Sequence, residues 1–250
     1  MNRRHALRWL LTPGAAAVVG RGSPAFAQDA DMHTVHQPYD IETFGMFRRM
    51  MMSGDFTSKV ALETVMAKHP TVGVGAVADA RGEITIYEGK LIVSYGKSAP
   101  AIDTVTERAA LLATGTASAW KTVTVEGDVA PDGIEAFLAA AARSHGLDPD
   151  KSFPFEARGT LLAFTMHVNA APTAGPHGMG QPMAVTVERK GDSMAGAVAG
   201  LYVAPELVGI ATHGGERTHS HWVSPGGDAT AHLDRWGLKA GSELSLPVSA

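Results

Sequence analysis

Thr218-His219-Ser220-His221-Trp222-Val223 runs into Ser224-Pro225-Gly226-Gly227-Asp228, and Ala229-Thr230-Ala231-His232-Leu233 follows. This stretch constrains the fold more than any other. In an extended strand, residues two apart share a face, so His219 and His221 point the same way. The Pro-Gly-Gly-Asp cluster signals a turn. A hairpin closing on Gly226-Gly227 sets His221 directly opposite His232. Directly opposed side chains have Cβ atoms roughly 5 Å apart, and diagonal ones about 7–8 Å. Three imidazoles so placed reach one cation with metal–nitrogen bonds of about 2.0–2.1 Å. Three protein ligands leave room for a guest, which is the catalytic rather than the structural arrangement. The competing reading is three unrelated histidines in a polar hairpin, and a loop of odd length would favour it. Zinc, iron, nickel and copper all accept imidazole, so the pattern alone does not name the metal.

The opening residues read as an export signal. Arg3-Arg4 starts a basic segment, Leu7 to Val19 is largely apolar, and Ala25-Phe26-Ala27 is a small-x-small cleavage site. The paired arginines allow a twin-arginine route, with a periplasmic or secreted destination. The apolar run is too short and too broken to span a bilayer, so no membrane association is expected after cleavage. The first 27 residues carry four arginines and no acid, so the net charge of −4 falls to −8 beyond them. That balance argues against nucleic-acid and anionic-membrane partners. There is no cysteine, hence no disulfide and no thiol chemistry.

Beyond the leader the pattern predicts an α/β chain of the α+β kind, with mixed and antiparallel sheets and a few flanking helices. Residues 28–168 form an N-terminal α/β part. Residues 169–250 form a C-terminal β part carrying the metal hairpin, after a Pro- and Gly-rich seam at 169–182. Phe44, Phe47 and Met51 predict a helix over Ile41 to Met52, and Val60, Leu62, Val65 and Met66 a second one opening at Asp55. The Met cluster reads as core packing, and His33, His36 and His177 as segment and loop residues. Val72 to Val77, Glu83 to Tyr87 and Lys90 to Tyr95 predict a meander of hairpins. Lys121 to Glu126 reads as a strand and Pro131 to His145 as an amphipathic helix capped by Gly146. Further strands are expected at 155–168, 183–189, 195–202, 207–211 and 244–248.

Three segments in order give a resemblance to a known family. They are Gly54-Asp55-Phe56-Thr57; Val72-Gly73-Val74-Gly75-Ala76-Val77 with Arg81-Gly82-Glu83-Ile84 and Glu88-Gly89-Lys90; and His219-x-His221 with His232. Together they resemble the α-acetolactate decarboxylases over roughly residues 41–248. The resemblance implies a dimeric two-part fold and a zinc ion on His219, His221 and His232. It also implies a carboxylate near the metal, matched by Glu83, and a substrate-facing arginine, matched by Arg158. The implied reaction is decarboxylation of 2-acetolactate, a 2-hydroxy-3-keto acid, to acetoin. The chain departs from the family at Ala76, where members often carry Thr. Glu243 is the only late acid, and its spacing does not fit the family's C-terminal one. Two other readings use the same histidines: an exported zinc lyase or hydrolase for another small keto acid, and a metal-binding protein without catalysis. A cupin-like barrel also places His-x-His on a strand. It brings a Glu a few residues later and a distant last His, and neither occurs here.

Overall fold

The computed structural model describes residues 33–96, 101–102, 104–170 and 185–248. The expected leader at 1–27 and the loop residue His177 lie outside the described residues. In chain order the elements are β1 (His33–His36), β2 (Ile41–Phe44), α1 (Phe47–Ser53), β3 (Val60–Ala61), α2 (Leu62–Met66) and β4 (Val72–Val77). There follow β5 (Gly82–Tyr87), β6 (Lys90–Tyr95), β7 (Ala101–Ile102), β8 (Arg108–Gly115), β9 (Trp120–Thr124) and α3 (Ile134–Ser144). The chain continues through β10 (Phe153–Ala170), β11 (Val185–Tyr202), β12 (Thr218–Val223), β13 (Thr230–Leu238) and β14 (Glu243–Pro247). The fold is α+β, built on two antiparallel sheets. No helix among the described residues is long and apolar enough to cross a membrane.

The first sheet runs β1-β2-β8-β4-β5-β6-β7, with β3 added on β8. Its middle strands are buried from end to end, because both faces are covered. Ile84 and Ile86 of β5 pack with Leu62 and Val65 of α2 on one face. The alternate residues Glu83, Thr85 and Tyr87 therefore point to the other face, toward the second sheet. There Val72, Val74 and Tyr87 join a core with Phe155, Leu161, Leu201 and Leu233.

The second sheet closes on itself. β10 pairs with β11, β11 with β12, β12 with β13, and β13 returns to β10. One long strand makes this possible. The first half of β10 pairs with β14 through Glu156, Ala157 and Arg158, and its second half pairs with β13 from Leu161 to His167. A ring of four strands has no free edge, so every register in it is fixed by its neighbours.

The structure departs from the sequence reading in several places: His33–His36 is a strand paired with β2, and the strands expected at 183–189 and 195–202 are one strand, Val185–Tyr202. Ile41 to Met52 is not one helix: Ile41–Phe44 pairs with β8, and only Phe47–Ser53 is helical. Gly45 separates them, with φ +82 and the Ala110 carbonyl oxygen 2.5 Å from where a Cβ would sit. The expected second helix is shortened to Leu62–Met66, because Asp55 forms an Asx turn to the Thr57 N–H and Val60 pairs with Ala109. Residues 207–211 fold as a 3-10 turn and loop, not a strand. The strand β8, with its Ala- and Leu-rich sequence, had no alternation to announce it, yet it is the spine of the first sheet.

The Gly-x-Gly pattern of β4 has a steric reason. A Cβ on Gly75 would lie 2.1 Å from the Leu111 carbonyl oxygen and 2.8 Å from Leu112 Cα, both on the backbone of β8. Gly127 has nothing within 4 Å. Gly75→Ala is expected to lower unfolding free energy by about 1–3 kcal/mol, the cost of overpacking. Gly127→Ala is expected to stay within about 0.5 kcal/mol. Urea denaturation of both variants checks this.

Candidate metal centre

The hairpin forms with the expected register. Val223 pairs with Thr230, Trp222 with Ala231, and His221 with His232. Its loop is held by the Ser224 hydroxyl, which bonds the Asp228 carboxylate and accepts the N–H groups of Asp228 and Ala229. His219, His221 and His232 are buried, at 3, 0 and 5 % exposure. One ring nitrogen from each lies within 4.8 Å of the others. Of the sequence candidates, the structure brings these three together with Glu83.

The hydrogen bonds fix how two of the imidazoles present themselves. His219 Nδ1 is 2.8 Å from the Ala211 carbonyl oxygen, which only accepts, so Nδ1 carries the proton and Nε2 is bare. For His221 the tautomer follows from a chain of hydroxyls. Thr230 Oγ1 donates to the Trp222 carbonyl at 2.8 Å, so Thr230 has no second proton to give. Thr85 Oγ1, 2.5 Å away, must donate to Thr230. Thr85 then accepts from His221 Nδ1 at 2.9 Å, leaving His221 Nε2 bare. His232 Nδ1 sits 3.4 Å from that Nε2. Two nitrogens each about 2.0–2.1 Å from a tetrahedral ion are roughly 3.3–3.4 Å apart. The spacing suits two ligands on one ion.

Burial sets the charge of the cluster. It pushes His219 down to about 3, and holds His221 and His232 well below the usual imidazole range, with neighbouring imidazoles adding to the effect. All three are neutral and offer lone pairs, as metal ligation requires. Glu83 is 2 % exposed and its Oε1 accepts the Asn169 N–H at 3.0 Å. Burial pushes its carboxyl up to about 8, against the lowering influence of His167 and of the Asn169 hydrogen bond. Its Oε2 lies 3.8 Å from His221 Nε2. Between a neutral imidazole and a protonated carboxyl this is proximity, not an ion pair.

A cavity of about 340 Å³ opens onto the cluster. Phe47, Met50 and Met51 of α1, with Phe56 and Leu111, form its apolar wall. Of the Met cluster, Met50 is buried and Met51 half-buried, and both shape the cavity, whereas Met52 is exposed. The first turn of α1 hangs on the 209–210 backbone, through Phe47 N–H to Ile210 O at 2.8 Å and Arg48 N–H to Gly209 O at 2.9 Å. The next residues of that loop supply Ala211, the acceptor for His219, and His213, whose ring lies tilted against Phe47 at 3.9 Å between centroids. Burial lowers His213 below the usual imidazole range.

The structure does not bring Arg158 to this cavity. Arg158 donates to the Tyr87 hydroxyl and to Glu88 Oε1, both at 2.7 Å, and lines a separate cavity of about 450 Å³ with Tyr87 and Gly226. The reason is topological: Arg158 lies in the half of β10 that pairs with β14, whereas the histidines lie beside its other half. No arginine or lysine among the described residues lines the histidine cavity. Sequence reasoning missed His167, Asp234 and His213, which do line it. Alternation with Thr165 and Asn169 was a signal for His167, but its partner strand is β13, too distant in sequence for the register to be read.

No protein-family model matches the sequence, and neither does any curated protein. Solved structures do match the fold. A Staphylococcus aureus protein of unknown function, described as similar to α-acetolactate decarboxylase, is 14% identical with a TM-score of 0.62, over 81% of this chain and 82% of that one. The α-acetolactate decarboxylase of Bacillus subtilis strain 168 is 11% identical with a TM-score of 0.67, over 81% and 83%. The acetolactate decarboxylase of Bacillus subtilis subspecies spizizenii is 10% identical with a TM-score of 0.66, over 82% and 84%. The chain therefore has the fold of the acetolactate decarboxylases, the family that its three sequence segments resemble.

Proposed function

We propose that the protein is an exported metal-dependent carboxy-lyase that converts 2-acetolactate to acetoin. One observation carries the reading: three buried imidazoles bring ring nitrogens within 4.8 Å of one another beside a buried carboxyl, at a cavity sized for a small molecule. The shared fold supports it. Export is supported by the basic and apolar opening and by Ala25-Phe26-Ala27. A divalent ion, zinc in this reading, would be held by His219, His221 and His232 and would act as a Lewis acid and template for the hydroxyl and ketone oxygens of the substrate.

The chain's own residues supply the rest. Ala211 and Thr85 hold two of the three rings in the ligating tautomer. The Phe47, Met50 and Phe56 wall keeps water away from the reacting carbons. When carbon dioxide leaves a 2-hydroxy-3-keto acid, the electron pair passes into the neighbouring carbonyl, and a proton must return to carbon. Glu83 is buried beside His221, and burial favours the protonated carboxyl, so in this reading Glu83 delivers that proton. The Asn169 N–H on Oε1 fixes the carboxyl's orientation.

Zinc-loaded protein should release carbon dioxide and acetoin from racemic acetolactate; metal-loaded protein without turnover would reject the assignment. Glu83→Gln should lower kcat by about 10²–10⁴-fold. Its zinc content should stay at the wild-type level. Thr85→Val removes the acceptor for His221 Nδ1 and should weaken zinc binding by about 10–100-fold in a competition titration with a chelator.

A further inference from the structure

The cavity at the histidines has two unlike walls. Thr165 and Asn169 of β10, with Thr186 and Glu188 of β11, form a polar one. Phe47, Met50 and Met51 of α1, with Phe56, Ala76 and Leu111, form an apolar one. The apolar wall begins at the histidines, where the Phe47 ring centroid lies 5.7 Å from that of His219 and 6.3 Å from that of His232. It does not stop there. Met51 follows Phe47 at helical i,i+4 spacing, on the same face of α1 and about 6 Å further along its axis. That is the reach of a few extended methylenes, and the methyl groups of acetolactate need no wall so long.

The parts of this wall differ in how firmly they are held. Phe47, Met50, Phe56, Ala76 and Leu111 are all buried and pack into one cluster. The α1 backbone is pinned at both ends, by the 209–210 carbonyls at its start and by Gly54 at its close, whose N–H donates to Met50 O at 3.0 Å. Phe56 is tied through its carbonyl, which accepts the Asp79 N–H at 2.8 Å. Met51 is the exception. It is half-buried, packs against the cluster, and carries an unbranched, adaptable thioether. Helical side chains lean toward the N-terminus of their helix, so Met51 covers the stretch of wall between itself and Phe47. Of the apolar wall residues it alone is not buried, so its side chain can swing outward without opening the core.

We propose that Met51 is the specificity-determining residue of the cavity and sets the longest alkyl substituent that a 2-hydroxy acid can carry into it. Short substituents leave the thioether packed on the wall, and longer ones displace it. The substrate class rests on the reading under Proposed function, but the binding test needs no turnover. The probes are 2-hydroxy-2-methyl acids whose second alkyl group grows stepwise from methyl to n-butyl. They carry the hydroxyl and carboxylate of acetolactate and no ketone, so they bind without decarboxylating. Each is titrated calorimetrically into zinc-loaded protein whose zinc content is measured by mass spectrometry. Wild-type affinity should rise about fourfold per methylene, the worth of burying one, and then level off. Met51→Ala opens the end of the wall and should carry the rise at least one methylene further. Met51→Phe closes it, ends the rise earlier and should lower the ratio of n-butyl to methyl affinity by about tenfold. Met52→Ala, at a neighbouring position that is 78 % exposed, should keep the wild-type profile. The readout is a ratio within each protein, so a variant that binds all the acids more weakly still tests the proposal. Wild-type affinity that does not rise with chain length would overturn it. So would the wild-type profile in both Met51→Ala and Met51→Phe, or a profile that Met52→Ala shifts as far as they do. A wild type with the expected profile that leaves acetolactate unconverted would reject the function and leave this assignment standing.

Discussion

The register between β12 and β13 is the constraint on which the site depends. Side chains alternate with a period of two, so a slip of one residue would turn His232 away from His221. The turn at Ser224 to Ala229 sets that register locally, through the Ser224 hydroxyl and the Asp228 carboxylate. The ring of β10, β11, β12 and β13 then locks it globally, because each strand is bonded on both sides. The first sheet adds the remaining groups. Its alternation sends Ile84 and Ile86 to one face and Glu83 and Thr85 to the other, so a single strand both seals a core and serves the histidines.

Burying three imidazoles and a carboxyl costs free energy unless their polar atoms are satisfied. The structure meets the need with fixed neighbours. His219 has the Ala211 carbonyl, His221 has Thr85, and Glu83 has the Asn169 N–H. Each partner comes from a different part of the chain: the loop that also anchors α1, a strand of the first sheet, and the end of β10. One ring nitrogen of each histidine lies within 4.8 Å of the others, an arrangement with a clear use as a ligand set. Such a cluster is poised for a cation because the protein bears the desolvation before the ion arrives.

What was legible in the sequence divides along the length scale of the interactions. The histidine hairpin could be read because its turn residues and its ligands lie within fifteen positions of one another. The β4, β5 and β6 meander was read for the same reason. Glu83 entered through the resemblance, and the structure places it at the cluster. Arg158 entered the same way and lies elsewhere, because which half of β10 faces the histidines depends on how β13 and β14 share that strand's edge. His167 escaped notice since only the pairing of β10 with β13 makes it a neighbour of His232. Strand β8 escaped because Ala109 to Gly115 is buried on both faces and so carries no polar alternation.

The most direct measurement is the metal stoichiometry and coordination of the purified protein by mass spectrometry and X-ray absorption. One zinc or other divalent ion per chain is expected, with three nitrogen neighbours at about 2.0–2.1 Å, falling to substoichiometric binding in His221→Ala. A chain that takes up no ion, or holds one undisturbed in His221→Ala, would contradict the convergence of His219, His221 and His232 on a metal.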